Sequence, residues 1–471
     1  MKKNYILFLL LLLTGSRLMG QEKPSYCLSL DSCRALAIRN NKELQMAGIR
    51  QRVAYYEHKV SFTKFLPRVS VAGAYMHTGK EISLLSDGLK DQLNNLSTAL
   101  STAVPALCPL AGSLNGIGSS LTDALRTDTR NMGTAAVLLM QPVYMGGKIM
   151  AYNRITRYAE QIAAQQHDLE LQKVIMEVDE AYWQIVSLQT RKQLAESYAK
   201  LVKKLDSDVQ QMIAEGVATQ ADGLSVKVKV NEAQVALIQV TNGLSLSQML
   251  LCQLCGLDMD TDILPADNGD SLATEAYHPS TDYVKTAFAR RPELNALALS
   301  TDIYKEKIRL ARAEFLPAVT LTGGWLGFNP SVFNSFERKF KGTWSVGIAV
   351  NCPIITCGER SYKIKAARAE AMLAGYNLEE TREKVELQVS QSIQKVEEAQ
   401  ERLHTADCSR AEADENLRYA TLGMQEGVIT ISNVLEAQTA WLSAHTEYVK
   451  AQVDLRLADL YLRKATGTLA P

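Results

Sequence analysis

The 471-residue sequence lacks any catalytic signature. Its six histidines (His58, His77, His167, His278, His404, His445) are scattered and form no H-E-x-x-H zinc motif. The stretch Gly73 to Lys80 fails as a phosphate loop: Gly79 comes one residue too late, and Glu81 stands where the motif needs Ser or Thr. Gly243-Leu244-Ser245-Leu246-Ser247 misses the second glycine of a nucleophile elbow. These absences exclude the familiar hydrolase and nucleotidase chemistries. The chain is expected to be no enzyme and to use no cofactor or catalytic metal. Net charge is also missing, with 51 basic and 51 acidic residues, which is no footprint for nucleic acid. Long apolar runs are absent too. The one clear run, Ile6 to Leu13, is far short of the roughly 20 residues a spanning helix needs, and no other segment is expected to reach that length. Proline is absent from 148–213 and from 359–424.

The short apolar run has another reading. Lys2 and Lys3 precede it, and Met19-Gly20 before Gln21 offers a small-residue cleavage site, so residues 1–20 read as a secretory signal peptide. Cleavage removes Lys2, Lys3 and Arg17 and no acidic residue, leaving 48 basic against 51 acidic. Cys27 follows Ser25-Tyr26 rather than a lipobox, which predicts an exported protein without a lipid anchor. The eight cysteines would then meet an oxidising compartment. Cys252 and Cys255 form a lone C-x-x-C in a helical pattern. With no second ligand pair, they read as two small buried residues one turn apart. Cys27 and Cys33 are near enough in sequence for a local bridge. Cys352 and Cys357 flank a strand end.

What the chain does contain is one unit written twice. Phe65-Leu66-Pro67-Arg68-Val69 recurs as Phe315-Leu316-Pro317-Ala318-Val319, and Glu43-Leu44 as Glu293-Leu294, at a shift of 250. Pro142, Gly147, Glu215-Gly216, Leu224 and Gly256 recur as Pro353, Gly358, Glu426-Gly427, Leu435 and Gly467, at a shift of 211. The difference between 250 and 211 is a 39-residue insertion in the first copy. Periods of roughly 20–50 residues mark solenoids, so this far longer one marks a large architectural unit used twice.

Each half reads helix, strand, loop, strand, very long helix, turn, helix. Residues 31–64 read as one helix with Asp31 at its positive end, stopped by Pro67. The strands alternate. Val69, Val71 and Tyr75, with Gly73 between them, oppose Arg68, Ser70, Ala72 and Ala74. Val319, Leu321 and Trp325 oppose Thr320, Thr322 and Gly324. Trp344, Val346, Ile348 and Val350 oppose Ser345, Gly347, Ala349 and Asn351, and the matching first-half strand carries Ala135, Val137 and Leu139. Aromatic ends, strands of about ten residues and a small polar second face suit a lipid-facing strand over a water-filled lumen. Four strands cannot close a membrane barrel, and lipid tolerates no open edge, so other chains must complete it. The proline-free stretches 148–213 and 359–424 carry apolar residues in coiled-coil-like steps: Val174, Val178, Tyr182, Ile185 and Val385, Val389, Ile393, Val396. Each stops at Glu-Gly-Val, the glycine serving as a left-handed cap.

The doubled pattern resembles the TolC-like outer membrane efflux proteins of Gram-negative bacteria. The resemblance rests on Asn41-Lys42-Glu43-Leu44, Phe65-Leu66-Pro67, Gln141-Pro142-Val143 with Gly146-Gly147, and the Glu-Gly-Val tips, in their order and doubled spacing. It covers essentially the whole mature chain. It implies an α+β membrane protein in the outer membrane, extending into the periplasm. A homotrimer would pool four strands per protomer into a 12-stranded β-barrel, with long coiled-coil-like helices forming a periplasmic α-barrel. The first repeat then spans 21–256: strands about 67–76 and 134–144, outer loop 77–133 (partly helical near 83–103), long helix 148–213, tip 214–221 and helix 222–255. Residues 257–280 form the inter-repeat linker. The second repeat spans 281–471: strands about 317–326 and 343–353, outer loop 327–342, long helix 359–424, tip 425–431 and helix 432–466. The implied function is the passive outer membrane channel of a tripartite efflux or type I secretion system. Its partners would be a periplasmic adaptor (membrane fusion) protein, an inner membrane pump of RND, ABC or MFS type, and outer membrane lipid. The competing reading is a periplasmic structural or adhesive coiled-coil protein, which leaves the four alternating strands unexplained. The resemblance assigns adaptor docking to Gly216, Val217, Ala218, Thr219 and Gly427, Val428, Ile429, Thr430, and aperture or gating positions to Asp222, Met424, Asn433 and Glu436. The family's Arg and Tyr partners of the acidic lock correspond to Ile429 and Met424, so the same lock cannot form. Only Glu436 keeps a charge in the constriction.

Overall fold

The computed structural model describes residues 25–79, 86–95, 116–117, 119–122, 130–267, 282–331 and 338–469. The signal segment, much of the two outer loops and residues 268–280 of the linker lie outside these. The elements run β1 (Ser25–Leu28), α1 (Leu30–Asn40), α2 (Lys42–Thr63), β2 (Arg68–His77), α3 (Asp87–Asn94), β3 (Asn131–Met145), α4 (Lys148–Ala214) and α5 (Gln220–Cys255). They continue β4 (Asp262–Pro265), α6 (Tyr283–Arg290), α7 (Pro292–Ala313), β5 (Ala318–Asn329), β6 (Lys341–Asn351), α8 (Glu359–Gln425) and α9 (Ile431–Ala465). They divide into two compact units. One holds residues 56–156 and 304–370, the other 1–55, 157–303 and 371–471.

The first of these units is built on an antiparallel sheet of order β2-β3-β5-β6. Register aligns the alternation of all four strands. Val71 faces Val137, Val137 faces Trp325, and Trp325 faces Trp344. Directly paired residues lie on one face, so Val69, Val71, Tyr75, Val137, Leu139, Leu321, Trp325, Trp344, Val346, Ile348 and Val350 form a continuous apolar surface. The opposite face is mixed: Ser70, Ala72, Thr134, Thr320, Thr322, Ser345, Gly347 and Ala349 are small or polar, while Met76, Leu138, Met140 and Leu326 are apolar. The apolar surface is bare: Val71 is 78% exposed and Ile348 70%. The paired glycines Gly327 and Gly342 lie under the Trp325 ring, where a Cβ on either would meet the indole. β3 shifts register between Pro142 and Tyr144, next to a residue that has no N–H to give the ladder.

The other unit is helical. α4 and α8 are 67 residues each. The predicted seam of α4 is fully buried at Val174, Val178, Tyr182 and Ile185, and α8 buries Val385, Val389 and Val396. The two helices differ on a second side. α4 also buries Ile175 and Val186. Their repeat counterparts on α8, Glu386 and Glu397, are exposed, as are Leu373, Leu387, Tyr419 and Leu422. α5 departs from the sequence expectation, being long and apolar enough to cross a membrane. It carries two apolar sides, and composition adds them together. One packs inward through Val226, Ala233, Leu244 and Leu251, and the other leaves Leu224, Val228, Val235, Ile238, Leu246 and Leu250 exposed.

Two features escaped the sequence reading. The expected single helix over 31–64 is broken at Asn41, whose backbone is extended and whose side chain accepts from the Glu43 and Leu44 N–H groups, ending α1 and starting α2. β1 and β4 pair in parallel, Ser25 facing Asp262, so the linker contributes a strand to the N-terminal segment. The expected bridge between Cys27 and Cys33 does not form, because Cys27 is exposed on β1 while Cys33 is buried on α1. Cys252 and Cys255 are wholly buried. The Cys255 thiol reaches the Cys33 carbonyl at 3.6 Å and is pushed up by its hydrogen bond to Cys33 and by burial.

α1 is tied to α4 by a fork. Arg34 Nε donates to Asp179 Oδ1 at 2.7 Å and Nη2 to Oδ2 at 2.6 Å, with the Asp179 side chain 2% exposed. Burial raises this carboxyl above its ordinary value despite the guanidinium. Removing Arg34 therefore strands a buried acid. Arg34→Met is expected to cost about 3–5 kcal/mol in chemical unfolding, and Arg34→Met/Asp179→Leu to recover most of it. Equal losses in both variants would disprove this account.

The hairpin tips as a candidate docking site

α4 and α8 end in the same turn. The N–H of Val217 donates to the Met212 carbonyl at 2.8 Å, and that of Ala218 to the same oxygen at 3.2 Å. At the equivalent positions Val428 and Ile429 donate to Gly423 at 2.8 and 3.1 Å. Gly216 and Gly427 take φ of +82° and +72°, the left-handed region that a Cβ penalises. Nothing lies within 4 Å of a Cβ placed on either, so both turns project into open space. Val217 is 69% exposed and Val428 81%.

Beneath the tips the two hairpins share one core. Val202, Leu205 and Val209 of α4 and Val226 of α5 pack with Met424 of α8 and with Ile431, Val434 and Leu435 of α9, and Ala218 and Ile429 close the top. The docking positions are thus brought together in pairs: Val217 and Val428 outward, Ala218 and Ile429 half-buried, Thr219 and Thr430 at the caps. A Cβ on Gly423 would meet the Ile429 side chain, so Ile429 folds back on its own hairpin.

The aperture positions are not brought together. Met424 is buried in the shared core, while Asn433 and Glu436 stand exposed on α9. Asp222 is engaged locally. Thr219 Oγ1 accepts from the Asp222 N–H at 3.2 Å, and Asp222 Oδ2 accepts from the Thr219 N–H at 3.0 Å and from its hydroxyl at 2.6 Å, a reciprocal capping box. On the other tip Thr430 Oγ1 accepts from the Asn433 N–H at 3.4 Å. A third cluster has no sequence motif. Trp441 Nε1 and His445 Nε2 meet Asp414 Oδ1 at 2.7 and 2.9 Å. Partial burial acts to raise the Asp414 carboxyl, but these two partners outweigh it and hold it low. The only trace in sequence is the four-residue spacing of Trp441 and His445, which puts both on one side of a helix.

Two helical hairpins with capped apolar tips, together with strands continuously apolar on one face and mixed small, polar and apolar on the other, define a membrane-channel component. The family model described as "Outer membrane efflux protein" matches residues 34–257 and 283–468, and the chain belongs to that family. It is an outer membrane channel of a Gram-negative efflux or secretion system, extending into the periplasm, and no enzyme. It is 24% identical over 374 residues to the alkaline protease secretion protein AprF of Pseudomonas aeruginosa, covering 75% of each chain. It is 21% identical over 374 residues to the outer membrane protein TolC of Vibrio cholerae, covering 79% of this chain and 85% of that one. Among solved structures, VceC of Vibrio cholerae superposes with a TM-score of 0.72 at 17% identity, covering 93% of this chain and 96% of that one. CusC superposes with a TM-score of 0.75 at 14% identity, covering 94% and 93%.

The capping box makes the first tip pH-sensitive. The Thr219 hydroxyl and N–H hold the Asp222 carboxyl below its ordinary value. A lowered folded value means that the stabilisation is complete above the ordinary carboxylate pKa of about 4 and is lost as pH falls through the lower folded value. Amide exchange at 220–223, corrected for intrinsic rates, is expected to quicken below about pH 4. Exchange at 431–434 should not follow, and Asp222→Asn should abolish the effect. A parallel response at both tips would disprove it.

Proposed function

We propose that three copies of the chain join into one duct. Each gives four strands to a 12-stranded barrel in the outer membrane and four long helices to a periplasmic α-barrel. The observation that carries this is the pair of unpaired edges, β2 and β6, on a sheet whose apolar face is continuous and bare. Such edges must be closed in lipid. The internal repeat supplies the closing geometry. Within one chain α4 packs on α9: the Arg456 guanidinium lies 5.3 Å from the Trp183 ring, and Lys464 Nζ reaches the Met176 sulfur at 3.2 Å. Moved by one repeat, that contact becomes α8 of one copy on α5 of the next, and these are the two helices with an open apolar side. Such a head-to-tail interface closes into a ring.

The same shift predicts the strand register between copies. Val137 faces Trp325 within the chain. Adding 211 to one and subtracting 250 from the other pairs Ile348 with Tyr75 of the next copy. Cysteines at directly paired positions sit within disulfide reach. Tyr75→Cys with Ile348→Cys should give covalently linked dimers and trimers on a non-reducing gel. Tyr75→Cys with Gly347→Cys, which face opposite sides, should not. Equal cross-linking by both pairs would disprove the register.

The duct is passive. Energy would come from an inner membrane pump of RND, ABC or MFS type, joined through a periplasmic adaptor whose hairpins pack end-on against the Gly-Val tips. Relatives bearing both a protease-secretion name and an efflux name support either kind of export. Glu436, one per copy, would leave a ring of three carboxylates near the aperture. Gly427→Trp adds a bulky ring where the tip meets open space, and is expected to raise drug sensitivity to that of the deletion strain with trimers intact. Normal drug resistance in that variant would remove the docking role.

A further inference from the structure

We propose that a cleft at the helix end of the sheet is a binding site for an amphiphilic anion, a single carboxylate or sulfonate on an apolar body. The cleft has a volume of about 580 Å³ and lies where β2, β3 and β5 meet the ends of α2, α4 and α7. It lies on the mixed face of the sheet, the face that carries Arg68, Met140 and Thr320. Its size falls within the roughly 300–1,000 Å³ of small-molecule sites. Met140, Ile149 and Leu310 give it an apolar wall.

Its charge is one-sided. Lys64, Arg68 and Lys148 line it. Lys64 Nζ lies 3.5 Å from the centroid of the Tyr152 ring. Among the described residues, neither Arg68 nor Lys148 has an ion-pair partner. The one acid on the wall, Glu314, is already bound to Lys363 at 3.1 Å. Three cations beside an apolar surface, with no free counter-charge, raise the local concentration of anions. The apolar wall then favours those that bring a hydrophobic body.

The repeat shows that the fold does not require this charge. Lys64, Arg68 and Lys148 correspond to Glu314, Ala318 and Glu359 in the second half, and Tyr152 corresponds to Lys363. The same corner of the same architecture is therefore built once with three cations that have no free acid beside them, and once with two acids, Glu314 and Glu359, that pair with Lys363. The strands, caps and helices around it are alike in both halves, so holding the chain together does not select for the basic version. Binding of a negatively charged group does. The cleft is lined by one chain and does not depend on a closed barrel.

The test uses the full-length protein in lipid nanodiscs, titrated calorimetrically and corrected for empty nanodiscs. The probes are 8-anilinonaphthalene-1-sulfonate and its uncharged parent, N-phenyl-1-naphthylamine. The sulfonate should bind saturably, one per chain. Arg68→Glu/Lys148→Glu should weaken it at least tenfold and leave the uncharged probe unaffected. Glu314→Gln, which removes the one acid from the wall and leaves Lys363 on Glu359 at 2.8 Å, should tighten it severalfold, an outcome that a misfolded protein cannot imitate. Unchanged sulfonate affinity in the double variant, equal effects on both probes, or no tightening in Glu314→Gln would overturn the proposal.

Discussion

A strand edge in lipid has no water to satisfy its N–H and C=O groups, and this sheet presents two, β2 and β6. Most of the rest follows from that constraint. One face of the four strands must be continuously apolar, and the register makes it so from Val71 through Val137 and Trp325 to Trp344. The helices continue the same logic. α4 is covered on two sides and α8 on one, while α5 keeps the stripe Leu224, Val228, Val235 and Ile238 bare. An open strand edge and an open helix side in one chain raise a single requirement, which another copy of the same chain can meet.

The tips show a different economy. Backbone hydrogen bonds, a left-handed glycine and a threonine cap recur at both, so the turns are rigid without reference to a partner. Rigidity leaves Val217 and Val428 outward at no cost in internal satisfaction. The difference lies one residue inside the cap. Asp222 closes a reciprocal box with Thr219, and Asn433 stands where its carboxylate would be. The halves share backbone geometry and diverge in charge. The basic cleft around Arg68 and Lys148, matched by Ala318 and Glu359, repeats that divergence at the other end of the helices.

Much of the fold was legible because its signals are local and doubled. Alternation of Val346, Ile348 and Val350 is a property of a strand by itself, and Glu-Gly-Val ends a helix wherever it occurs. The misses are non-local. Asn41 looked like a helix interior, and only the bonds from its side chain to the Glu43 and Leu44 amides reveal a double cap. β1 and β4 are four residues each and exist only as a pair more than 230 positions apart. α5 reaches membrane length and hydropathy because its apolar residues belong to two sides, one covered and one open, a division that the sequence does not display. Cys33 meets Cys255 rather than Cys27 because α1 turns it into the core. Of the candidate site, the left-handed glycine turns of the two tips are legible in Glu-Gly-Val, whereas the threonine caps Thr219 and Thr430 show only in the hydrogen bonds that follow the turns. Met424 is buried beneath them and the Asp414 cluster with Trp441 and His445 was not seen, since both depend on how α8 packs against α9.

By itself the sequence determined the repeat, the strand faces, the helix ends and the family, because periodicity and capping are written within a few residues of where they act. Tertiary structure decided which side of each long helix is covered, which cysteines meet, and where Lys64, Arg68 and Lys148 converge. Those outcomes depend on distances between residues far apart in the chain, which packing alone fixes.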